Sequence, residues 1–174
     1  MEAPTHGGAL TLVLGGARSG KSRHAESLVQ VHPPPWFYVA TAEALDEEMT
    51  QRIAEHRARR SGEWRTLEAP HRLAEAMEQA PDRAPILIDC LTLWLSNLLL
   101  ADADLERECD RLEAGLARRN SPTVLVANEV GLGIVPDNSL ARRFRDAAGR
   151  LNQRLAARAD RVIFVAAGLP LQLK

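Results

Sequence analysis

The segment Gly15–Ser22 constrains the fold of this chain more than any other part of its sequence. It reads GGARSGKS and matches the pattern G-x-x-x-x-G-K-[ST] at every fixed position, directly after the apolar run Leu10–Leu14. Glycines in such a loop let successive backbone N–H groups converge on phosphate oxygens. Lys21 would add a positive charge at the β- and γ-phosphates, and the Ser22 hydroxyl is a ligand for Mg2+. The segment therefore predicts a strand, a phosphate-binding loop (P-loop) and a helix that together bind a nucleotide.

Short apolar runs alternate with longer helical patterns along the rest of the chain. The predicted strands are Leu10–Gly15, Trp36–Thr41, Pro85–Asp89, Thr123–Asn128 and Arg161–Ala166. The predicted helices are Lys21–Val31, Asp46–Arg60, Leu73–Gln79, Leu93–Ala101, Asp104–Arg119 and Ser139–Arg158, the last capped by Asn138. Strands without polar alternation are typical of a parallel sheet covered on both faces. The pattern predicts an α/β fold with a mostly parallel sheet flanked by helices, as one domain over residues 1–174.

Composition excludes several other classes of protein. The chain has 22 basic and 23 acidic residues, which gives a net charge of −1 and no bulk attraction to nucleic acid. The most apolar stretch, Ile86–Ala101, is too short and too polar to span a membrane. The N-terminus lacks the basic and apolar regions of a signal peptide, so we expect a cytoplasmic location. Cys90 and Cys109 have no metal-ligand spacing, and we expect both in the core.

Two acidic residues follow predicted strands. Asp89 ends the run Ile86–Ile88, where a carboxylate could hold Mg2+ through water. Its alternative role is to cap the next helix. Glu129 follows a second strand, and it could face the ligand or stabilise a turn. The sequence favours the magnesium role for Asp89 and leaves both roles open for Glu129.

His56 lies in the predicted helix Asp46–Arg60 among several arginines. Arg52, Arg59 and Arg60 fall within one helical turn of it. Nearby cations disfavour protonation, and a neutral imidazole beside a phosphate site can attack phosphorus. The alternative is a half-buried helix histidine beside a solvated arginine face, which the pattern alone favours.

Several segments together carry a resemblance to a known family. They are Gly15–Glu26, Tyr38–Ala42, Arg52 and Ile53 with His56, Trp64–Thr66 with Glu68, Asn128–Pro136, and Arg142–Asp146 with Gly149–Gln153. In this order they resemble the bifunctional adenosylcobinamide kinase/adenosylcobinamide-phosphate guanylyltransferase family of cobalamin biosynthesis, over nearly the whole chain. A P-loop is common to many families, whereas this ordered set is specific. The resemblance implies a catalytic role for His56, in place of the structural role that the helical pattern alone favours.

The resemblance implies two reactions. The hydroxyl of adenosylcobinamide takes the γ-phosphoryl group of ATP or GTP, and the histidine matched by His56 then takes GMP from GTP and passes it to adenosylcobinamide phosphate. Nucleotide contacts are implied at Gly15, Gly16, Ala17, Arg18, Ser19, Gly20, Lys21, Ser22, Thr41, Ala42, Glu43, Arg57, Ala58, Arg59, Arg60, Glu68 and Asp89. Mg2+ is implied at Ser22 and Asp89. Glu68 would accept hydrogen bonds from guanine.

The resemblance also implies a RecA-like P-loop fold and a homotrimer. We expect the helix that carries His56 to move when nucleotide binds, with Gly62 as a hinge. Two other functions are consistent with the P-loop alone. A single-activity kinase would phosphorylate the corrinoid without forming a GMP–protein, and a non-enzymatic GTP-binding module would release negligible pyrophosphate.

Overall fold

The structure, a computed structural model, describes residues 8–44, 46–58 and 60–174. Its seven-stranded sheet has the order β3-β2-β4-β5-β1-β6-β7, and β7 alone of the described strands pairs antiparallel. The strands are β1 Leu10–Gly15, β2 Trp36–Ala40, β3 Trp64–Glu68, β4 Ile86–Asp89, β5 Thr123–Asn128, β6 Arg161–Ala166 and β7 Leu169–Gln172. The helices are α1 Lys21–Gln30, α2 Glu47–Ala58, α3 Leu73–Gln79, α4 Leu91–Leu100, α5 Leu105–Arg118 and α6 Ser139–Arg158. The predicted α/β architecture is confirmed.

All five predicted strands and all six predicted helices are present, with ends that shift by one or two residues. The sequence did not predict β3 and β7, which are the two edges of the sheet. In β3 only Trp64 is buried, and all four residues of β7 are exposed. Neither strand therefore carries the continuous apolar run that marks an interior strand.

Side-chain caps set the starts of four described helices, and Asp104 caps α5 through the N–H of Arg107 at 3.1 Å. Asn138 Oδ1 accepts a hydrogen bond from the N–H of Ala141 at 2.7 Å, which confirms its predicted role as N-cap of α6. Asp46 caps α2 in the same way through the N–H of Met49. At α4 the N-cap is Cys90, whose Sγ accepts from the N–H of Leu93 at 3.4 Å. The alternative role of Asp89 as the cap of this helix is therefore wrong.

Apolar side chains cover both faces of the sheet. Leu12 and Leu14 belong to a core cluster with α3, α4, α5 and α6, whereas Val13 belongs to a second cluster with α1. Cys90 and Cys109 are both buried, as predicted. Burial above all raises the pKa of each thiol to about 11, so both stay protonated near neutral pH. None of the described helices is long and apolar enough to cross a membrane.

The register of the sheet brings the strand ends together. Gly15 of β1 lies opposite Asn128 of β5, and Asp89 of β4 lies opposite Val126. On the other side of β4, Ala40 of β2 lies between Asp89 and Glu68. The carboxyl ends of five parallel strands therefore form one edge, which is where open α/β sheets bind ligands.

Candidate nucleotide site

The P-loop connects β1 to α1 and is held by backbone hydrogen bonds on two sides. The N–H of Gly168 donates to the carbonyl of Ser19 at 2.8 Å, and the N–H of Glu129 donates to the carbonyl of Gly15 at 3.0 Å. Lys21 is buried, and its Nζ donates to the carbonyl of Gly16 at 3.0 Å. The ammonium group is thus folded back over the loop, at the N-terminus of a helix that favours anions.

Two glycines of the loop are required by its shape. A Cβ at Gly15 would lie 2.5 Å from the carbonyl oxygen of Val165, a backbone atom that cannot move aside. Gly20 has a φ of +94°, which side-chain-bearing residues rarely adopt. A Cβ at Gly16 would meet no atom within 4 Å, so the space beside this residue is open.

Asp89 reaches the same edge from β4 and is positioned by a buried threonine. The Thr41 hydroxyl accepts from the N–H of Cys90 at 2.8 Å and donates to its carbonyl at 2.7 Å. The amide of Asn97 donates to the carbonyl of Thr41 at 2.9 Å. Asp89 Oδ2 is buried, and no described residue gives it a hydrogen bond. A carboxylate oxygen of this kind suits a hard cation, which fits the predicted role of Asp89 with Ser22 in holding Mg2+.

Two cavities meet at the P-loop. The first, of about 820 Å3, is lined by Arg18, Ser19, Gly20, Lys21, Ser22, Arg23, His24, Ser27, Glu48, Gln51, Glu55, His56 and Gly168. The second, of about 580 Å3, is lined by Lys21, Ser22, Tyr38, Ala40, Ala42, Glu43, Ala44, Met49, Ile53, His56, Arg57, Arg60, Thr66, Glu68, Pro70, Asp89, Cys90, Leu93 and Asn128. Lys21, Ser22 and His56 line both cavities. The structure thus brings the α2 histidine to the P-loop.

Charged side chains surround the second cavity. Arg57 of α2 and Glu68 of β3 form an ion pair at 3.1 Å, with 59% and 73% of their side chains exposed. The Arg60 guanidinium lies 3.5 Å from the centre of the Tyr38 ring. Burial, and next the Asp89 carboxylate, raise the pKa of Tyr38 well above its ordinary value. The cavity wall thus presents one cation on α2, Arg57, and a second just after the helix, Arg60, together with the carboxylates of the sheet edge.

His24 is a second histidine of the first cavity. Its Nε2 is buried and has no hydrogen-bond partner in the described part of the chain. Burial, and then the charge of Arg161, lower the pKa of His24, so its imidazole is neutral near pH 7. It is therefore a rival to His56 for any reaction at phosphorus.

The structure brings most of the predicted nucleotide contacts to the two cavities. The P-loop residues Arg18–Ser22, together with Ala42, Glu43, Arg57, Arg60, Glu68 and Asp89, line one or both. Thr41 is fully buried beneath the second cavity and contacts Cys90 instead. Ala58 is exposed at the end of α2 and is not among the lining residues. Arg59 and the side chain of Arg52 lie outside the described residues.

The structure adds information on two polar residues at the end of β5. Glu129 was left with two alternatives, and in the structure its Oε1 accepts from the N–H of Gly131 at 2.6 Å, which is the turn-stabilising role. Asn128 was not predicted as a site residue, yet it lines the second cavity. Asn128 shares the sequence pattern of Asp89, because each is a polar residue at the end of an apolar strand.

The fold and this edge of the sheet define a P-loop nucleotide-binding protein, and solved structures support that class. The chain is similar to an ATPase from the type III secretion system of pathogenic bacteria, with a TM-score of 0.61 and 12% identity over 95% of this chain and 58% of that one. It is also similar to the RadB recombinase, with a TM-score of 0.50 and 18% identity over 93% of this chain and 74% of that one. At these identities the likeness shows the fold alone, and it confirms the RecA-like P-loop prediction.

The sequence shows the family. The model of the family described as cobinamide kinase / cobinamide phosphate guanyltransferase matches residues 11–173, and the chain belongs to this family. The bifunctional adenosylcobalamin biosynthesis protein CobP of Pseudomonas aeruginosa is 51% identical, over 94% of this chain and 96% of that protein. The CobU protein of Salmonella typhimurium, described in the same words, is 46% identical over 95% and 99%. The predicted family is confirmed, with a kinase and a guanylyltransferase activity in adenosylcobalamin biosynthesis.

Proposed function

We propose that this chain, as one domain, runs both reactions at one nucleotide site. It first transfers the γ-phosphoryl group of ATP or GTP to the hydroxyl of adenosylcobinamide. It then transfers GMP from GTP to adenosylcobinamide phosphate and releases pyrophosphate. The observation that carries the proposal is that Lys21, Ser22 and His56 line both cavities. His56 would therefore lie beside a phosphate chain that is bound to the P-loop.

In the kinase step the protein binds and neutralises the phosphates. The backbone N–H groups of Gly15–Ser22 and the Lys21 ammonium group would hold the β- and γ-phosphates while the alcohol oxygen attacks the γ-phosphorus. Ser22 and Asp89 would hold Mg2+, which when bound neutralises negative charge on the phosphates. The buried, unpartnered Oδ2 of Asp89 supports this assignment.

In the guanylyl step His56 is the proposed nucleophile. A ring nitrogen forms a bond to the α-phosphorus of GTP, the bond from that phosphorus to the bridging α–β oxygen breaks, and pyrophosphate leaves with the electron pair. A phosphate oxygen of adenosylcobinamide phosphate then forms its own bond to the phosphorus and displaces His56. Arg57 and Arg60, which line the second cavity, would offset the charge of the triphosphate. Arg59, three residues after His56 in the sequence, is proposed to act with them.

A shared site makes a prediction for a simple inhibitor. GDP should compete with GTP in both reactions, with one inhibition constant, because it occupies the same P-loop in each. Initial rates of γ-phosphoryl transfer to adenosylcobinamide and of GMP labelling of the protein, measured over a GDP series, give the two constants. Constants that differ tenfold or more would contradict a single site.

Glu68 is the proposed guanine reader. Its carboxylate can accept from the N1–H and the 2-amino group of guanine, once it releases Arg57. That release costs little because an exposed ion pair contributes about 0–1 kcal/mol. Arg57 would then be available to the phosphates. Thr41, Ala42, Glu43 and Ala58 complete the proposed contacts, although for Thr41 a positioning role agrees better with its burial.

Glu68→Gln should reduce the preference for GTP over ITP, which lacks the 2-amino group. We expect about a tenfold loss for GTP, since hydrogen bonds to charged groups contribute about 1.5–3 kcal/mol. The measurement is kcat/KM of GMP labelling with each nucleotide. Glu63→Gln, an exposed acid beside the same strand, is the matched control. An unchanged GTP/ITP ratio in Glu68→Gln would show that another residue reads the base.

The movement of α2, the homotrimer and the cytoplasmic location remain proposals. Gly62 lies between α2 and β3, and a Cβ there meets nothing within 4 Å. This open space around Gly62 supports its role as a hinge.

Leu132, Ile134 and Val135 are 83%, 98% and 63% exposed, and an exposed apolar segment of this kind supports burial between subunits. Sedimentation equilibrium would measure the number of subunits.

A further inference from the structure

Asn128 lies at the centre of the candidate site. It ends β5, the strand between β1 and β4, so it stands between the P-loop and the strand that carries Asp89. Its side chain lines the second cavity together with Lys21, Ser22 and Asp89. Any group that reacts with a phosphate held by the P-loop at this edge therefore passes close to Asn128.

The backbone of Asn128 is fixed by two buried residues. Its N–H donates to the Thr92 hydroxyl at 2.6 Å, and its carbonyl accepts from the amide of Asn152 at 3.4 Å. Thr92 and Asn152 are 7% exposed each. The position of the side chain is therefore set by the strand end and by two further elements, α4 and α6, rather than by a free loop.

The side chain itself has an unused acceptor. Asn128 Oδ1 is buried, and it accepts no hydrogen bond from the residues that the structure describes. A buried polar atom without a partner is unfavourable for folding, and proteins pair almost all such atoms. Because Asn128 also lines the second cavity, a donor on a bound substrate is a candidate partner for this oxygen.

We propose that Asn128 Oδ1 accepts the hydrogen of the substrate alcohol and so aims the alcohol oxygen at the γ-phosphorus. This inference rests on the proposed kinase step. The alcohol oxygen forms a bond to phosphorus, the bond to the bridging β–γ oxygen breaks, and the nucleoside diphosphate leaves with the electron pair. A neutral amide is not a base, so the hydroxyl proton passes to an oxygen of the transferred phosphoryl group. The role of Asn128 is orientation.

The same atom has no comparable role in the guanylyl step. GMP–histidine forms without any acceptor alcohol, and the second acceptor is a phosphate oxygen that has no hydrogen to donate when ionised. Loss of Asn128 Oδ1 should therefore slow phosphoryl transfer selectively. A residue needed for the fold or for nucleotide binding would lower both reactions instead.

The test compares Asn128→Leu with Asn128→Asp, which keeps an acceptor oxygen at the same place. At saturating GTP, we expect Asn128→Leu to lower kcat for phosphorylation of adenosylcobinamide about 100-fold, as misplacement of a reactant does. GMP labelling of the protein should stay within about twofold of wild type, and this labelling also shows that the variant folds. Asn128→Asp should retain clearly more kinase activity than Asn128→Leu. Asn120→Leu, an exposed asparagine before the other end of β5, is the control.

Three results would overturn the proposal. One is an unchanged kinase rate in Asn128→Leu, and another is an equal loss of labelling and kinase activity in both Asn128→Leu and the smaller Asn128→Ser. The third is an Asn128→Asp variant as inactive as Asn128→Leu, which would assign the role to the amide N–H2 donor. Failure of the proposed function is distinguishable, because wild type would then neither phosphorylate adenosylcobinamide nor take up GMP.

Discussion

Lys21→Met should remove both activities. The side chain keeps its length and apolar stem, so the variant should fold, but the charge that faces the phosphates is lost. Lys21 Nζ contacts the loop carbonyl of Gly16 and lines both cavities, so it can reach phosphates in either reaction. Removal of one preorganised electrostatic group typically costs about 10²- to 10³-fold in kcat. We expect a loss of at least this size in phosphoryl transfer and in GMP labelling.

The chain offers a matched control for this substitution. Lys174 is its only other lysine, and its Nζ donates to the carbonyls of Ala156 and Ala157, away from the P-loop. Lys174→Met should keep both activities. The measurement is the initial rate of each reaction with labelled GTP, alongside a chemical denaturation curve for each variant. GMP labelling within tenfold of wild type in Lys21→Met would mean that guanylyl transfer happens away from the P-loop.

His56→Asn should separate the two reactions. Asparagine is polar and of similar size, so α2 should remain helical, but it cannot form the phosphoramidate bond. GMP transfer should fall by at least about 10³-fold, because loss of a covalent nucleophile removes the whole two-step route. Phosphorylation of adenosylcobinamide should stay within about threefold, since the kinase step needs no histidine nucleophile.

Two further histidine variants sharpen this result. His24→Asn tests the rival, a half-buried and neutral imidazole that lines the first cavity. His32→Asn, whose side chain lies beyond the end of α1, is the control and should label normally. Labelling is measured with GTP carrying its label at the α-phosphorus. A loss of label in His24→Asn with full labelling of His56→Asn would reverse the assignment.

The sequence predicted the parts of the site that depend on local pattern. The motif Gly15–Ser22 is sufficient to predict the P-loop. The apolar run before Asp89 predicts an interior strand with an acidic residue at its end. Both lie where predicted because parallel strands present their carboxyl ends at one edge. Asn128 has the same local signal, a polar side chain at the end of an apolar strand.

The rest depends on contacts between distant parts of the chain. Thr41 contacts Cys90, 49 residues away, so its burial beneath the cavity could not be predicted from neighbouring residues. The edge strand β3 is largely exposed and polar, and only its pairing with β2 places Glu68 opposite Ala40 and within reach of Arg57. The resemblance to a family named His56 and Glu68, whereas the three-dimensional arrangement explains how they share one site.

The most direct test of the account is to locate GMP on the protein. Wild-type enzyme is incubated with Mg2+ and GTP labelled at the α-phosphorus, then digested with trypsin at neutral pH, since the bond is acid-labile. We expect the label on the peptide Ile53–Arg57, which contains His56 as its single histidine. A label on the peptide that begins at His24, or labelled GTP that binds without transfer, would contradict it.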